Sequence, residues 1–304
     1  MKRLGKPVKV FGGFGYGNDY GQPCDVDVDA RGRVFVAENK KGYNRVSVFS
    51  RDGEFERHVG GNGTGDGQFD DLFGLCVDSV HGRLLTVDRN LDRLQAFDAA
   101  SGAFVGKLGS NGNGDNQFSS PYGVCADAFG NVVVVETRNH RVCVLSPVLR
   151  WSFAFGSDGC GNGQFRAPLR VCFADDTLLV CDWGNHRVQA LRVHRKQAGG
   201  EITRLSFAAA FGSRGGGPRQ FHCPMGICVD AATGCVFVAD RVNLRLCVFD
   251  AQYRFLHSVA VPCPVGVCVQ TTPSSGRSVL VTAYSMGEVR QFQLPGPTRR
   301  KGRG

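Results

Sequence analysis

Apolar and polar positions repeat along this chain in blocks. A short, largely apolar element occurs six times, at Asp25–Asp29, Gly74–Asp78, Gly123–Asp127, Arg170–Ala174, Gly226–Asp230 and Gly266–Gln270, with 40 to 56 residues between successive copies. A turn with Gly or Asp follows each copy, then a second apolar run: Val34–Ala37, Leu84–Val87, Val132–Val135, Leu178–Cys181, Val236–Ala239 and Val279–Thr282. A third run alternates strictly, as in Val46-Ser47-Val48-Phe49 and Val188-Gln189-Ala190-Leu191. A fourth ends in an apolar–Gly pair, as in Val59-Gly60, Leu108-Gly109, Phe155-Gly156 and Phe211-Gly212. Short runs rich in Val and Phe and bounded by Gly, Asn and Asp predict strands. Four strands per unit, at a period in the forties, predict one propeller blade per unit.

The sixth copy stops after its third strand, Val289–Leu294, whereas the segment Pro7–Gly12 reads like the fourth strand of the other copies. Pairing the two ends would close the ring and remove the sheet edges that open ends leave. The expected fold class is therefore all-β: a six-bladed β-propeller occupying residues 1–296 as a single domain. Residues 297–304, with Arg299, Arg300, Lys301 and Arg303, are read as a basic, disordered tail.

Composition agrees with a turn-rich β-protein: the 42 glycines cluster between the runs rather than forming low-complexity tracts. The formal net charge of +9 favours an anionic partner such as nucleic acid, a membrane surface or an acidic protein. The opening residues lack an apolar leader core, and no stretch reaches the length of a membrane span. With that pattern, the thirteen cysteines are expected to be reduced thiols of an intracellular protein, cytoplasmic or nuclear. The other reading is a fragment of a longer chain.

Several motifs recur in register: Gly163-Gln164-Phe165-Arg166-Ala167-Pro168 before a first strand, Val180-Cys181-Asp182 at the end of a second, and Asn185-His186-Arg187-Val188-Gln189 at the start of a third. Asn139-His140-Arg141-Val142 and Asn243-Leu244-Arg245-Leu246 match the last of these. On these motifs the chain resembles the NHL-repeat family over nearly its whole length. The resemblance implies a propeller like the C-terminal part of TRIM-NHL proteins, some of which bind RNA while others recruit proteins for ubiquitylation. No RING or B-box cluster is present, so a ubiquitin-linked role would need a partner or a further segment. Some propellers of similar type are enzymes, namely zinc-dependent amidating lyases and calcium-dependent lactonases.

The residues that invite a chemical reading are mostly parts of the repeat. A carboxylate ends the second strand and an arginine begins the third in five copies: Glu38/Arg45, Asp88/Arg93, Glu136/Arg141, Asp182/Arg187 and Asp240/Arg245. These are expected to be structural ion pairs, Arg being suited to them by its planar fork. Cys76, Cys125, Cys172, Cys228 and Cys268 share one repeat position a blade apart, too far for metal-ligand spacing, and are read as small core residues. His58, His81, His140, His186, His194, His222 and His257 form no evident set, and His140 and His186 are read as turn residues. The Gly-rich links at 60–67 and 109–115 lack the Gly-Lys-Ser/Thr of a phosphate loop. No catalytic residue, metal ligand or cofactor is therefore assigned.

What remains is a face. In a propeller, the links between blades and the turns joining second and third strands emerge together. Those turns supply Lys40, Lys41, Arg89, Arg138, Trp183, Arg241 and Tyr284. The positions before the channel strands add Phe73, Tyr122, Leu169 and Met225, and Arg170 stands where most other copies have Gly. Cations interleaved with aromatics suit single-stranded nucleic acid. The expected function is a monomeric, non-catalytic platform for RNA, with no membrane contact. The alternatives are a protein-interaction adaptor and a metal-dependent hydrolase or lyase. A basic insertion at 192–207 is expected on the opposite face.

Overall fold

A computed structural model describes residues 4–12, 21–40, 42–196, 200–272 and 276–295. Six antiparallel sheets of four strands each radiate around a channel. The chain is an all-β six-bladed propeller. The innermost strands are Pro23–Val28, Leu72–Asp78, Pro121–Ala126, Arg170–Ala174, Pro224–Asp230 and Pro264–Thr272. The outermost are Phe55–Val59, Phe104–Leu108, Trp151–Phe155, Ile202–Phe211, Phe255–Ala260 and, for the last blade, Lys9–Gly12. Blades are numbered one to six in that order of inner strands. The tail at 297–304 and Lys41 lie outside the described residues.

The last blade is assembled from both ends of the chain. Lys9, Val10, Phe11 and Gly12 pair antiparallel with Gln291, Arg290, Val289 and Glu288, and Val8 N–H extends the ladder to Gln291 O. Phe11 is buried there and meets Phe49 of blade one edge-to-face at 5.4 Å. The closing strand is thus also a packing element between blades six and one.

The apolar runs form the core because every middle strand is covered on both faces by neighbouring blades. Val132 to Val135 are all fully buried, as are Val236 to Ala239 within a few per cent. Each such side chain contributes roughly 1.5–3 kcal/mol by burial. The links repeat a second device. Phe69, Phe118, Phe165 and Phe221 are fully buried plugs, packed against Gly60, Gly109, Gly156 and Gly212 respectively. Those glycines have positive φ, and a Cβ there would strike the ring. In each link the preceding Gln (68, 117, 164 or 220) accepts a hydrogen bond from a link glycine N–H at 2.9–3.0 Å.

Four of the carboxylate–arginine pairs close as ion pairs. The Nε atoms of Arg45, Arg141, Arg187 and Arg245 lie 2.5–3.0 Å from Glu38, Glu136, Asp182 and Asp240 respectively. Arg141, Arg187 and Arg245 also reach link carbonyls, as Arg187 does to Gly161 O and Gln164 O. Arg45 closes its expected pair with Glu38 across the wider spacing. It stands seven residues after its carboxylate rather than five, and the longer turn brings exposed Tyr43 beside it. The Arg45 guanidinium lies 6.0 Å from that ring, while Glu38 also accepts the Ser47 hydroxyl at 2.8 Å. Arg45 therefore belongs to the blade-one rim as well as to the ion-pair row. Asp88 and Arg93 depart from the expected ion pair. They face each other in register but make no ion pair among the described residues. Asp88 instead accepts the N–H groups of Asp70, Asp71, Asn90 and Leu91, while Arg93 donates to Gly65 O and Gln68 O. Asp88 has enough backbone donors to satisfy its carboxylate without the guanidinium.

The basic insertion lengthens the third and fourth strands of blade four into a hairpin, Arg187–Arg195 with Ile202–Phe211. It emerges opposite the links. Val193, Ile202 and Leu205 are buried against blade three. Arg195 bonds Asp127 at 2.5 Å and Asp176 at 3.0 Å and lies over Phe129.

Candidate ligand-binding face

At the mouth of the channel, four of six copies carry glycine: Gly74, Gly123, Gly226 and Gly266. A Cβ at any of them would collide with the next blade's backbone, at Tyr122 O, Leu169 O, Val265 O and the Asp25 Cα respectively. The two exceptions are Asp25 and Arg170, and they bond to each other across the mouth at 2.7 Å. Arg170 also donates to Tyr122 O, Cys24 O and Phe73 O, and its guanidinium lies 5.3 Å from the Tyr122 ring. Asp25 accepts Leu75 N–H at 2.9 Å. Burial pushes the Asp25 carboxyl up, against the pull of the guanidinium.

This corrects the reading of Arg170 as a ligand-binding residue of the rim. It is 4 % exposed, and its polar head is committed to blades one, two and three. Both terminal nitrogens of the guanidinium are taken by a carboxylate and three carbonyls, and its Nε, which has no partner among the described residues, is buried away from a phosphate. Phe73 and Tyr122 are also partly withdrawn: their rings stack at 4.4 Å, and Arg89 covers Phe73 at 4.6 Å.

Below the Arg170–Asp25 bridge the channel opens into a cavity of about 250 Å³. Asp27 and the five repeat-position cysteines line it, so these thiols face the channel as well as the blade cores. Burial pushes the thiols of Cys76, Cys125, Cys228 and Cys268 well above their ordinary range. They are poor nucleophiles for that reason. Asp27 accepts the N–H groups of Val77 and Val28, and desolvation raises its carboxyl to about 7. Among the described residues, no three His, Cys, Asp or Glu side chains are grouped to hold a metal ion.

Above the bridge lies a second cavity, of about 470 Å³, open to the link-bearing face. Tyr122, Leu169, Met225 and Trp183 supply its apolar surface, Arg89, Arg138 and Arg241 its positive charge, and Asp92 one carboxylate. Trp183 is placed by a 3-10 turn, Trp183–Asn185, that ends at His186 in the left-handed region. His186 Nδ1 then accepts Cys223 N–H of the next blade, and His140 accepts Ala167 N–H in the same way. Those histidines are turn residues that also join blades.

The three arginines differ in their freedom. Arg89 is ion-paired to Asp71 at 2.6 Å. Arg241 lies 5.7 Å from the Tyr284 ring and has no carboxylate partner among the described residues, and exposed Arg138 has none there either. Lys40 sits over Tyr43 in blade one, beside Arg45 and away from the cavity. The structure thus gathers Tyr122, Arg89, Arg138, Trp183 and Arg241 into one concavity, and leaves Lys40, Phe73, Tyr284 and Arg170 outside it. Asn90, Asp92, Ser120 and Thr137 join the lining without having been singled out. Asp92 has positive φ and accepts Ser120 N–H and the Asn111 amide, holding that wall. Its place in an Asn/Asp-rich turn was the available signal.

No helix of the described residues is long and apolar enough to cross a membrane. A family model described as a 6-bladed beta-propeller matches residues 21–110. No curated protein sequence matches the chain. Among solved structures, a gluconolactonase from Xanthomonas campestris is 16 % identical, with 97 % of this chain and 99 % of that one covered at a TM-score of 0.65. The virginiamycin B lyase from Staphylococcus aureus is 12 % identical, covering 94 % and 99 % at 0.58. The Myceliophteria thermophila Cps50 (Swd1) propeller domain is 8 % identical, covering 97 % and 100 % at 0.61. At such identities the likeness is one of fold.

Proposed function

We propose that the chain is a non-catalytic platform of NHL-type repeats that binds single-stranded RNA on its link-bearing face. The carrying observation is one cavity in which Trp183 stands with Arg138 and Arg241, neither of them neutralised by a carboxylate among the described residues. A half-buried indole at a cavity wall offers a face for a base, and two uncompensated guanidiniums contact the flanking phosphates. The formal charge of +9 adds long-range attraction. The repeat motifs Asn139-His140-Arg141 and Asn185-His186-Arg187 support the NHL-type assignment, since each holds the same turn, inter-blade bond and ion pair.

The test is the combined variant Arg138→Glu with Arg241→Glu, titrated against a uridine-rich single-stranded RNA at several salt concentrations. Loss of two phosphate contacts should weaken binding and flatten the log–log salt slope by about 1.4. Unchanged affinity and slope would overturn the reading. Trp183→Ala should weaken binding without changing the slope.

A protein partner is the second reading. Val242, Leu244 and Met286, on the same face in blades five and six, are each nearly half exposed. An adaptor of that kind, ubiquitin-linked or otherwise, would hold its partner through apolar contacts that resist salt.

A further inference from the structure

The outer edge of blade three differs from those of blades one, two, four and six. Outermost strands normally carry a charge that discourages pairing with a further strand. Lys9, Glu56 with Arg57, Lys107 and Arg204 do this in four blades, whereas in blade five His257 is buried and accepts Leu4 N–H at 3.0 Å. The outer strand of blade three, Trp151-Ser152-Phe153-Ala154-Phe155, has no ionisable side chain. All five of its residues are half-buried, and no strand pairs with its outer side among the described residues.

Beside this edge the blade-four hairpin leaves a cleft of about 490 Å³, on the lower outer seam between blades three and four. Arg150, Trp151, Ser152 and Phe153 form one wall, Ile202 and Thr203 the other. Glu201 also lines the cleft, but Lys196 neutralises it at 2.6 Å. Arg150 is exposed and has no carboxylate partner among the described residues. The cleft therefore combines unpaired strand backbone, the Phe153 ring on the blade-four side and one uncompensated cation.

We propose that this cleft receives an extended peptide segment of a protein partner, which adds as a fifth strand to blade three and places a carboxylate on Arg150. Strand addition draws affinity from main-chain hydrogen bonds and specificity from alternate side chains. Here an apolar residue of the peptide would lie on Phe153, which faces the blade-four side of the sheet, and an acidic one on Arg150. The chain's own tail is a poor occupant, since Arg299, Arg300 and Lys301 would bring like charge to Arg150. The site is separate from the link-bearing face, so its test does not depend on RNA binding.

The probe is acetyl-Thr-Val-Glu-Val-Thr-amide, compared with its Glu→Lys counterpart, on the full chain. Amide hydrogen exchange should slow at 151–155 with the Glu peptide. Arg150→Glu should weaken that peptide at least tenfold and reverse the preference. Ser152→Pro, at the strand's bulge where proline is tolerated, should remove binding while leaving the thermal midpoint in place. Lack of protection at 151–155 with both peptides, or indifference of the Glu peptide to Arg150→Glu, would overturn the assignment. So would a concentration-dependent dimer that Ser152→Pro abolishes, since the occupant would then be a second copy.

Discussion

Asp25 and Arg170 are the two positions at the channel mouth where the repeat abandons glycine, and they abandon it as a pair. Removing one partner of a buried ion pair typically costs about 3–5 kcal/mol, because the other charge is left uncompensated. Asp25→Gly and Arg170→Gly should each destabilise the fold by that order in urea unfolding. The double variant, which gives all six copies glycine, should be more stable than either single one. Additive losses would mean that the two do not act together. Asp27 offers a second test. Its carboxyl titrates near 7 in the folded chain but near 3.9 when unfolded. Between those values the unfolded state loses the proton while the native state keeps it, so stability falls as pH rises from about 4 to 7. Asp27→Asn should remove that part of the fall. Parallel stability-against-pH curves for parent and variant would contradict the environment described.

At the scale of elements, the closing strand Lys9–Gly12 carries the clearest prediction. Phe11→Ala should cost about 3–5 kcal/mol, read as a drop of several degrees in thermal midpoint. Val8→Ala, beside it but 61 % exposed, should stay within about 0.5 kcal/mol. Equal effects would mean that the seam does not close through Phe11. The ion-pair row teaches a related lesson. The spacing of a carboxylate and an arginine is the same in blade two as in blades three to five, yet Asp88 and Arg93 bond elsewhere. Blade one has the wider spacing, and there Glu38 still closes on Arg45. Strand register places such groups opposite each other; the number of competing backbone donors decides whether they meet.

Over the whole molecule, the six-bladed architecture was legible because every blade repeats its own strand pattern and turn chemistry. Those are local properties: period-two alternation, positive-φ glycines in the links, and apolar runs long enough for one strand. The upper face could be enumerated for the same reason, since blade topology alone sends its turns there. What the sequence could not show was which members of that face converge. Arg170, Lys40 and Trp183 look alike in one dimension, as exceptions or cations near a turn. Folding buries the first against Asp25, leaves the second over Tyr43, and sets the third in the cavity with Arg138 and Arg241. Repeat period and hydrophobic alternation, which act between near neighbours, determined the blades. Burial, charge pairing across 145 residues and the shape of the cavities depend on the closed ring, and only the tertiary structure decided them.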